Sequence, residues 1–173
     1  MSIETLKSLV SKAGGYARSN RFELNIGPSK SSNAVLNEAA TFLCESVSLP
    51  GKDITTFEYS FNAMRNTVKY ANGYTLPDIT CTFNLTNDYR AKKFFDSWLK
   101  LIVSNEYTVR YAPDYERPVT ITQLNQRNER IYGVELLNAF PISVSSIDLS
   151  NATTDDISKF SVTLTYIDYI IIT

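Results

Sequence analysis

The side chains able to do chemistry are few and scattered. Histidine is absent. That removes the Ser-His-Asp and Cys-His arrangements, and with them the commonest acid–base group and transition-metal ligand at neutral pH. Cys44 and Cys81 each sit among apolar residues in a strand-like run. Two isolated thiols without histidine make a poor zinc site, so they read as buried, reduced thiols, with a disulfide or metal pair as the alternative. Asp155 and Asp156 lie in a Ser/Thr/Asn stretch without the oxygen spacing of a calcium loop and read as a solvated turn. Gly14-Gly15 follows no strand, matches no phosphate loop and reads as a hinge. Asp114, Glu116 and Arg117 form a mixed-charge turn. Arg90, Lys92 and Lys93 could meet phosphates, but the cluster is small and the chain has a net charge of −1. A solvated helix face fits better. Asn84-Leu85-Thr86 and Asn151-Ala152-Thr153 fit the glycosylation pattern, without a secretory signal to make it relevant. These residues specify no active site, and the expectation is a non-enzyme with no cofactor and no metal.

The elements that carry these residues are mostly strands. The 173 residues fit one domain, 1–173, able to bury a core without staples. Eleven Tyr and nine Phe favour strands and interfaces, and no apolar run is long enough for a membrane span. Ile3, Leu6, Leu9 and Val10 have helical spacing up to Gly14-Gly15, giving a short helix within an N-terminal arm at 1–19. This segment lacks a signal-peptide core, so assembly in the cytoplasm is expected. Phe22, Leu24 and Ile26 alternate as a strand, 40–49 forms a second, and Pro50-Gly51 turns the chain. The stretch 50–75 is an aromatic excursion. Thr55, Phe57, Tyr59 and Phe61 share one side, and Asn72-Gly73 reads as a hairpin turn.

Ile79, Cys81, Phe83 and Leu85 mark the clearest half-buried strand. The one convincing helix follows, capped by Asn87 or Asp88 and ending near Ser104-Asn105. Its apolar stripe holds Ala91, Phe94, Phe95, Trp98, Leu101 and Ile102, with Phe94, Phe95 and Trp98 as core residues. Residues 118–140 read as a hairpin, Pro141 as an interruption, and 142–149 as irregular. Phe160, Val162, Leu164 and Tyr166 mark a last strand running nearly to the C-terminus. With no βαβ alternation, the expected fold is mainly β: two packed antiparallel sheets, sandwich- or barrel-like, of about seven strands with one flanking helix.

The polar strand faces are rich in Thr, Ser and Asn, and several edges would stay open, which suits a chain that pairs with copies of itself. In order and spacing, several pieces resemble the tail tube proteins of contractile-tailed bacteriophages. They are Ala17–Leu24 (ARSNRFEL), Cys44–Gly51 (CESVSLPG), Phe94–Trp98 (FFDSW), Asn138–Pro141 (NAFP), Val144–Ser150 (VSSIDLS) and Phe160–Tyr166 (FSVTLTY).

The resemblance implies a structural subunit forming hexameric rings that stack helically into a hollow conduit for DNA. Four strands from each subunit would build a continuous inner barrel. The implied partners are other copies of the chain, the sheath outside, and baseplate and terminator proteins at the ends. DNA and a tape measure protein would pass through the lumen, and the location would be the virion tail. The loop at 50–75 would contact the next ring, through Phe57, Tyr59, Phe61 and Arg65. The polar faces near 41–47, 65–71, 118–124 and 130–138 would line the lumen, with Glu45, Thr120, Thr122 and Glu135 as the named residues. Alternatives are a baseplate-proximal tube initiator, the tube of a phage-derived injection system or type VI secretion apparatus, and a monomeric β-sandwich binding module.

Overall fold

The computed structural model describes residues 2–12, 14–27, 41, 43–60, 67–103, 108–150 and 157–172. In chain order the elements are α1 (Ile3–Lys12), β1 (Phe22–Ile26), β2 (Cys44–Val47), β3 (Asp53–Ser60), β4 (Thr67–Thr75) and β5 (Ile79–Asn84). There follow α2 (Arg90–Ile102), α3 (Ala112–Tyr115), β6 (Arg117–Leu124), β7 (Arg130–Val144), β8 (Lys159–Thr165) and β9 (Asp168–Ile172). The protein is mainly β with antiparallel pairing throughout, as expected.

Alternation places the strands in two layers. Along β5, Ile79, Cys81 and Phe83 point inward; along β8, Phe160, Val162 and Leu164 do the same. Opposite them, Leu24 and Ile26 of β1 meet Ile121 and Val119 of β6, which in turn meet Val134 and Leu136 of β7. The first sheet runs β1-β6-β7-β9 and the second β2-β5-β8-β7. β7 is therefore shared: its first half pairs with β6 and β9, its last residues with β8.

A single backbone feature makes that sharing possible. Arg117 pairs with Ala139 while Val119 pairs with Leu136, so β7 carries one residue more than β6 between those points. Asn138 sits there with φ 56°, a left-handed conformation that Asn tolerates and β-branched residues do not. The inward set changes parity across it, from Val134 and Leu136 to Ala139 and Pro141. A bulge of this kind re-aims a strand. Pro141 does not interrupt β7, which runs on to Val144, with a second register shift between Pro141 and Ser143.

Helix α2 closes the core. Ala91, Phe94, Phe95 and Trp98 are buried; Phe95 packs against Phe83 and Phe160, with ring centroids 4.9 and 6.1 Å away. The Trp98 indole N–H donates to the Tyr115 carbonyl at 2.7 Å, which ties the helix to α3. The helix begins differently from expectation. Its N-cap is Tyr89 in a left-handed conformation, without a side-chain cap bond. Asp88 instead accepts from Thr86 and pairs with Arg90.

Two further expectations are corrected. The last strand does not run unbroken to the C-terminus. It breaks at Tyr166-Ile167, and β8 and β9 pair in different sheets. Asn72-Gly73 is not a hairpin turn: both residues lie inside β4, at a register shift opposite Thr55/Thr56.

Asn138→Val should destabilise the fold by about 1–3 kcal/mol through backbone strain. Asn138→Gly, free of that strain, should lose less than about 1 kcal/mol. Urea unfolding of the two variants checks this; equal losses would mean that the left-handed residue is not what shapes β7.

Candidate assembly surfaces

The first sheet ends in β1 on one side and β9 on the other. Among the named strands, β1 pairs only with β6, and β9 only with β7. Strand directions alternate, so β9 runs opposite to β1. On the face turned away from the core, Asn25, Thr120, Glu135 and Ile170 lie in one cross-strand row. Glu23, Thr122, Gly133 and Ile172 lie in the next. This row structure brings Thr120, Thr122 and Glu135 together on one face. Thr122 is nonetheless buried, and Gly133 opposite it is closely approached from both sides: a Cβ there would meet the Ile172 carbonyl at 3.2 Å and Thr122 Oγ1 at 3.6 Å.

Glu45 is not on this face. It belongs to β2 of the second sheet, where its carboxylate pairs with Lys159 Nζ at 2.6 Å across the outer surface. The four polar segments named for the lumen are likewise divided. The 118–124 and 130–138 segments are neighbours, 44–47 is in the other sheet, and 67–71 is in the ribbon formed by β3 and β4.

That ribbon stands away from the body, with every residue of both strands exposed. Glu58 pairs with Lys69 at 3.2 Å on one face. On the other, Phe57 faces Tyr70 and Tyr59 faces Val68, and the Phe57 and Tyr70 rings stack at 5.6 Å. These four side chains remain 48–52% exposed. A two-stranded ribbon is marginal in water, and a contiguous apolar face of this kind marks an interaction surface. Phe61 and Arg65 lie outside the described residues, as do Asp155 and Asp156.

The root of the ribbon is held by a residue that the sequence reading passed over. Lys52 Nζ lies 4.2 Å from the Tyr74 ring centroid, 5.3 Å from that of Tyr169 and 3.9 Å from Asp168 Oδ1. It bridges β4 and β9 by cation–π contact and charge. A lysine after Pro50-Gly51 carries no signal of this; its partners are more than a hundred residues away in part.

The other candidates for chemistry do not converge. Arg117 turns inward over Trp98, 4.5 Å from the ring centroid, and desolvation holds its pKa below the usual arginine range. Glu116 accepts from the Asn138 amide, and Asp114 is exposed on α3. Arg90 and Lys92 are paired with Asp88 and Asp96. Among the described residues no group of three His, Cys, Asp or Glu could hold a metal. Two hollows of about 240 and 480 Å³ flank the N-terminal linker, and neither is lined by a carboxylate or thiol. Helix α1 buries no residue, leaving Ile3, Leu6 and Leu9 exposed.

Among the described residues, the outermost strands of the first sheet and an apolar ribbon stand out, and the polar candidates do not converge. Residues 17–172 match the family profile of the phage tail tube protein, and the chain belongs to that family. The fold recurs in a chain of the PVC sheath–tube complex, an extracellular contractile injection system in the extended state. The TM-score is 0.69 at 21% identity, covering 99% of this chain and 97% of that one. It recurs in the anti-feeding prophage tube-terminating cap, with TM-score 0.65, 21% identity and 91% of each chain covered. The Hcp protein is more distant, at TM-score 0.54 and 10% identity over 87% of this chain and 91% of that one. At these identities the likeness is one of fold. A search of functionally curated proteins returns no match.

Both cysteines are free thiols. Desolvation pushes Cys44 up to about 12 and raises Cys81 as well, and the Cys44 thiol donates to the Ser46 carbonyl. The neutral thiol is favoured in the folded state, so its contribution is complete below the unfolded thiol pKa and is lost as pH rises through the folded value. At pH 8, Cys44 of the native protein should react with iodoacetamide about a thousandfold more slowly than in urea, since its thiolate fraction falls by about that factor. Comparable rates would mean an accessible thiolate at Cys44.

Proposed function

We propose that the protein is the main tube subunit of a contractile tail or tail-derived injection system. It forms hexameric rings that stack into a hollow conduit and does no catalysis. The observation that carries this reading is the four-strand sheet whose outermost strands, β1 and β9, each pair with one neighbour among the named strands. Because four is even, β9 of one copy meets β1 of the next antiparallel, and the sheet continues from copy to copy without a mismatched junction. Such head-to-tail contacts close into a ring when the rotation allows.

Six copies would give a barrel of ~24 strands, with a backbone diameter of roughly 37–48 Å for ~4.8 Å spacing and tilts up to ~40°. Side chains narrow this by ~10 Å, which still passes a duplex whose groove depths sum to ~16 Å. Under this reading Glu23, Asn25, Thr120 and Glu135 face the lumen with Thr122 beneath them, and Glu45 faces away from it. A neutral to acidic wall avoids the counterion release that makes basic grooves retain DNA. The ribbon, with Phe57 and Tyr59, and the N-terminal arm at 1–19 contact the adjacent ring. The sheath surrounds the tube, and baseplate and terminator proteins cap its ends. DNA and a tape measure protein occupy the lumen transiently. Assembly takes place in the host cytoplasm, and the tube resides in the tail.

Negative-stain electron microscopy of the purified protein should show hollow tubes. Discrete rings that do not lengthen would point to a tube initiator, and a monomer at all concentrations would favour the binding-module alternative. Within the tube reading, Phe57→Glu with Tyr70→Glu should abolish stacking while leaving the circular dichroism spectrum unchanged, because charge is placed on an otherwise apolar contact. Tubes of normal length from this variant would remove the ribbon from the ring–ring interface.

A further inference from the structure

The two ends of the first sheet differ in charge. At the β6–β7 hairpin end, Arg127 lies in the turn and Arg130 opens β7. The preceding linker is laid against the same end. Leu124 N–H donates to the Arg21 carbonyl at 3.0 Å, Arg21 Nη1 donates to Asn128 Oδ1 at 2.7 Å, and the Gln123 amide reaches the Arg18 carbonyl. Four arginines, 18, 21, 127 and 130, thus gather at one end. The carboxylate among them, Glu129, is held by the Asn125 side-chain amide at 2.7 Å.

The opposite end is acidic. Asp114 and Glu116 immediately precede β6, and Asp168 opens β9. Asp78 joins them, since the hydroxyl of Tyr166, two residues before Asp168, donates to the carbonyl of the adjacent Pro77 at 3.1 Å. Against these carboxylates stand Lys52, which pairs with Asp168, and Arg117, which is turned inward over Trp98. β6 runs from Arg117 to Leu124, so the two ends lie about 24 Å apart at ~3.4 Å per residue.

We infer that these two ends are complementary docking surfaces, and that the arginine end of one copy seats on the acidic end of a copy in the next ring, fixing the polarity of stacking. The inference rests on the tube reading above. In a closed barrel the strand ends form the two rims, so whatever lies at those ends meets the neighbouring ring. A basic rim on an acidic rim attracts; either rim on its own kind repels. Every ring therefore adds in one orientation. The apolar ribbon supplies contact area, and the charged rims supply direction. A net charge of −1 lets the subunits approach without strong overall repulsion.

The test uses two exposed pairs in the full chain. Arg127→Glu with Arg130→Glu makes both rims acidic; Asp78→Arg with Asp114→Arg makes both basic. Each variant alone should form rings, with sedimentable tube reduced about tenfold or more by like-charge contact. Mixed in equal amounts, the two should recover tubes near the wild-type yield, which simple misfolding could not produce. Wild-type tube yield from either variant alone would overturn the inference, as would failure of the mixture to recover. Normal tubes that have lost affinity for added duplex DNA would reassign the arginines to nucleic acid. Absence of tubes from the wild-type protein would instead remove the tube reading itself.

Discussion

The architecture depends on the turn of parity within β7. A straight strand would keep Val134, Leu136, Asn138 and Phe140 on one face and would belong to one sheet. The extra residue at Asn138 shifts the inward set by one, so the last part of β7 leaves β6 and takes β8 as its partner. Both sheets then enclose a single core. Phe83, Phe95, Phe160 and Trp98 can meet at its centre only because the two layers are fixed at that joint. A flat, continuous sheet would present the same apolar residues to water on one side.

The closed core leaves many large apolar side chains outside it, and where they lie is informative. The ribbon keeps Phe57, Tyr59, Val68 and Tyr70 outside. The β9 edge keeps Ile170, Ile171 and Ile172 at least 42% exposed. Isolated proteins blunt such edges with charge or proline. Here β9 is aliphatic at its free end. In the proposed tube, copies of the chain cover these faces.

Much of this was legible in the sequence, and the reasons for the rest are physical. Strict alternation in β5 and β8, and the stripe on α2, come from one-sided burial and read directly. The β7 bulge does not, because Asn138 followed by Pro141 looks like a strand ending, and only tertiary pairing shows the strand continuing. Asn72-Gly73 carries the strongest hairpin signal in the chain, yet the register of β3 on β4 makes it a bulge; local turn preference yields when neighbouring residues already pair. The split between β8 and β9 is marked only by Tyr166-Ile167-Asp168, with no glycine or proline. Alternation puts Thr120, Thr122 and Glu135 on one outer face, and the register of β6 on β7 places them there. It could not tell which sheet Glu45 joins, because polar alternation is the same on both outer faces.

The contact at Lys52 bears on how such surfaces work together. The ribbon has no burial of its own, so its orientation is set at its root, where Lys52 touches Tyr74 of β4 and both Asp168 and Tyr169 of β9. β9 is also an outermost strand of the first sheet. A neighbour that pairs with β9 orders the strand that carries two of the three contacts around Lys52, and so narrows the range of ribbon orientations. Ordering done by one contact need not be done again by the next, which is how two binding events become cooperative without a change of fold. In the proposed tube, lateral closure would then favour stacking.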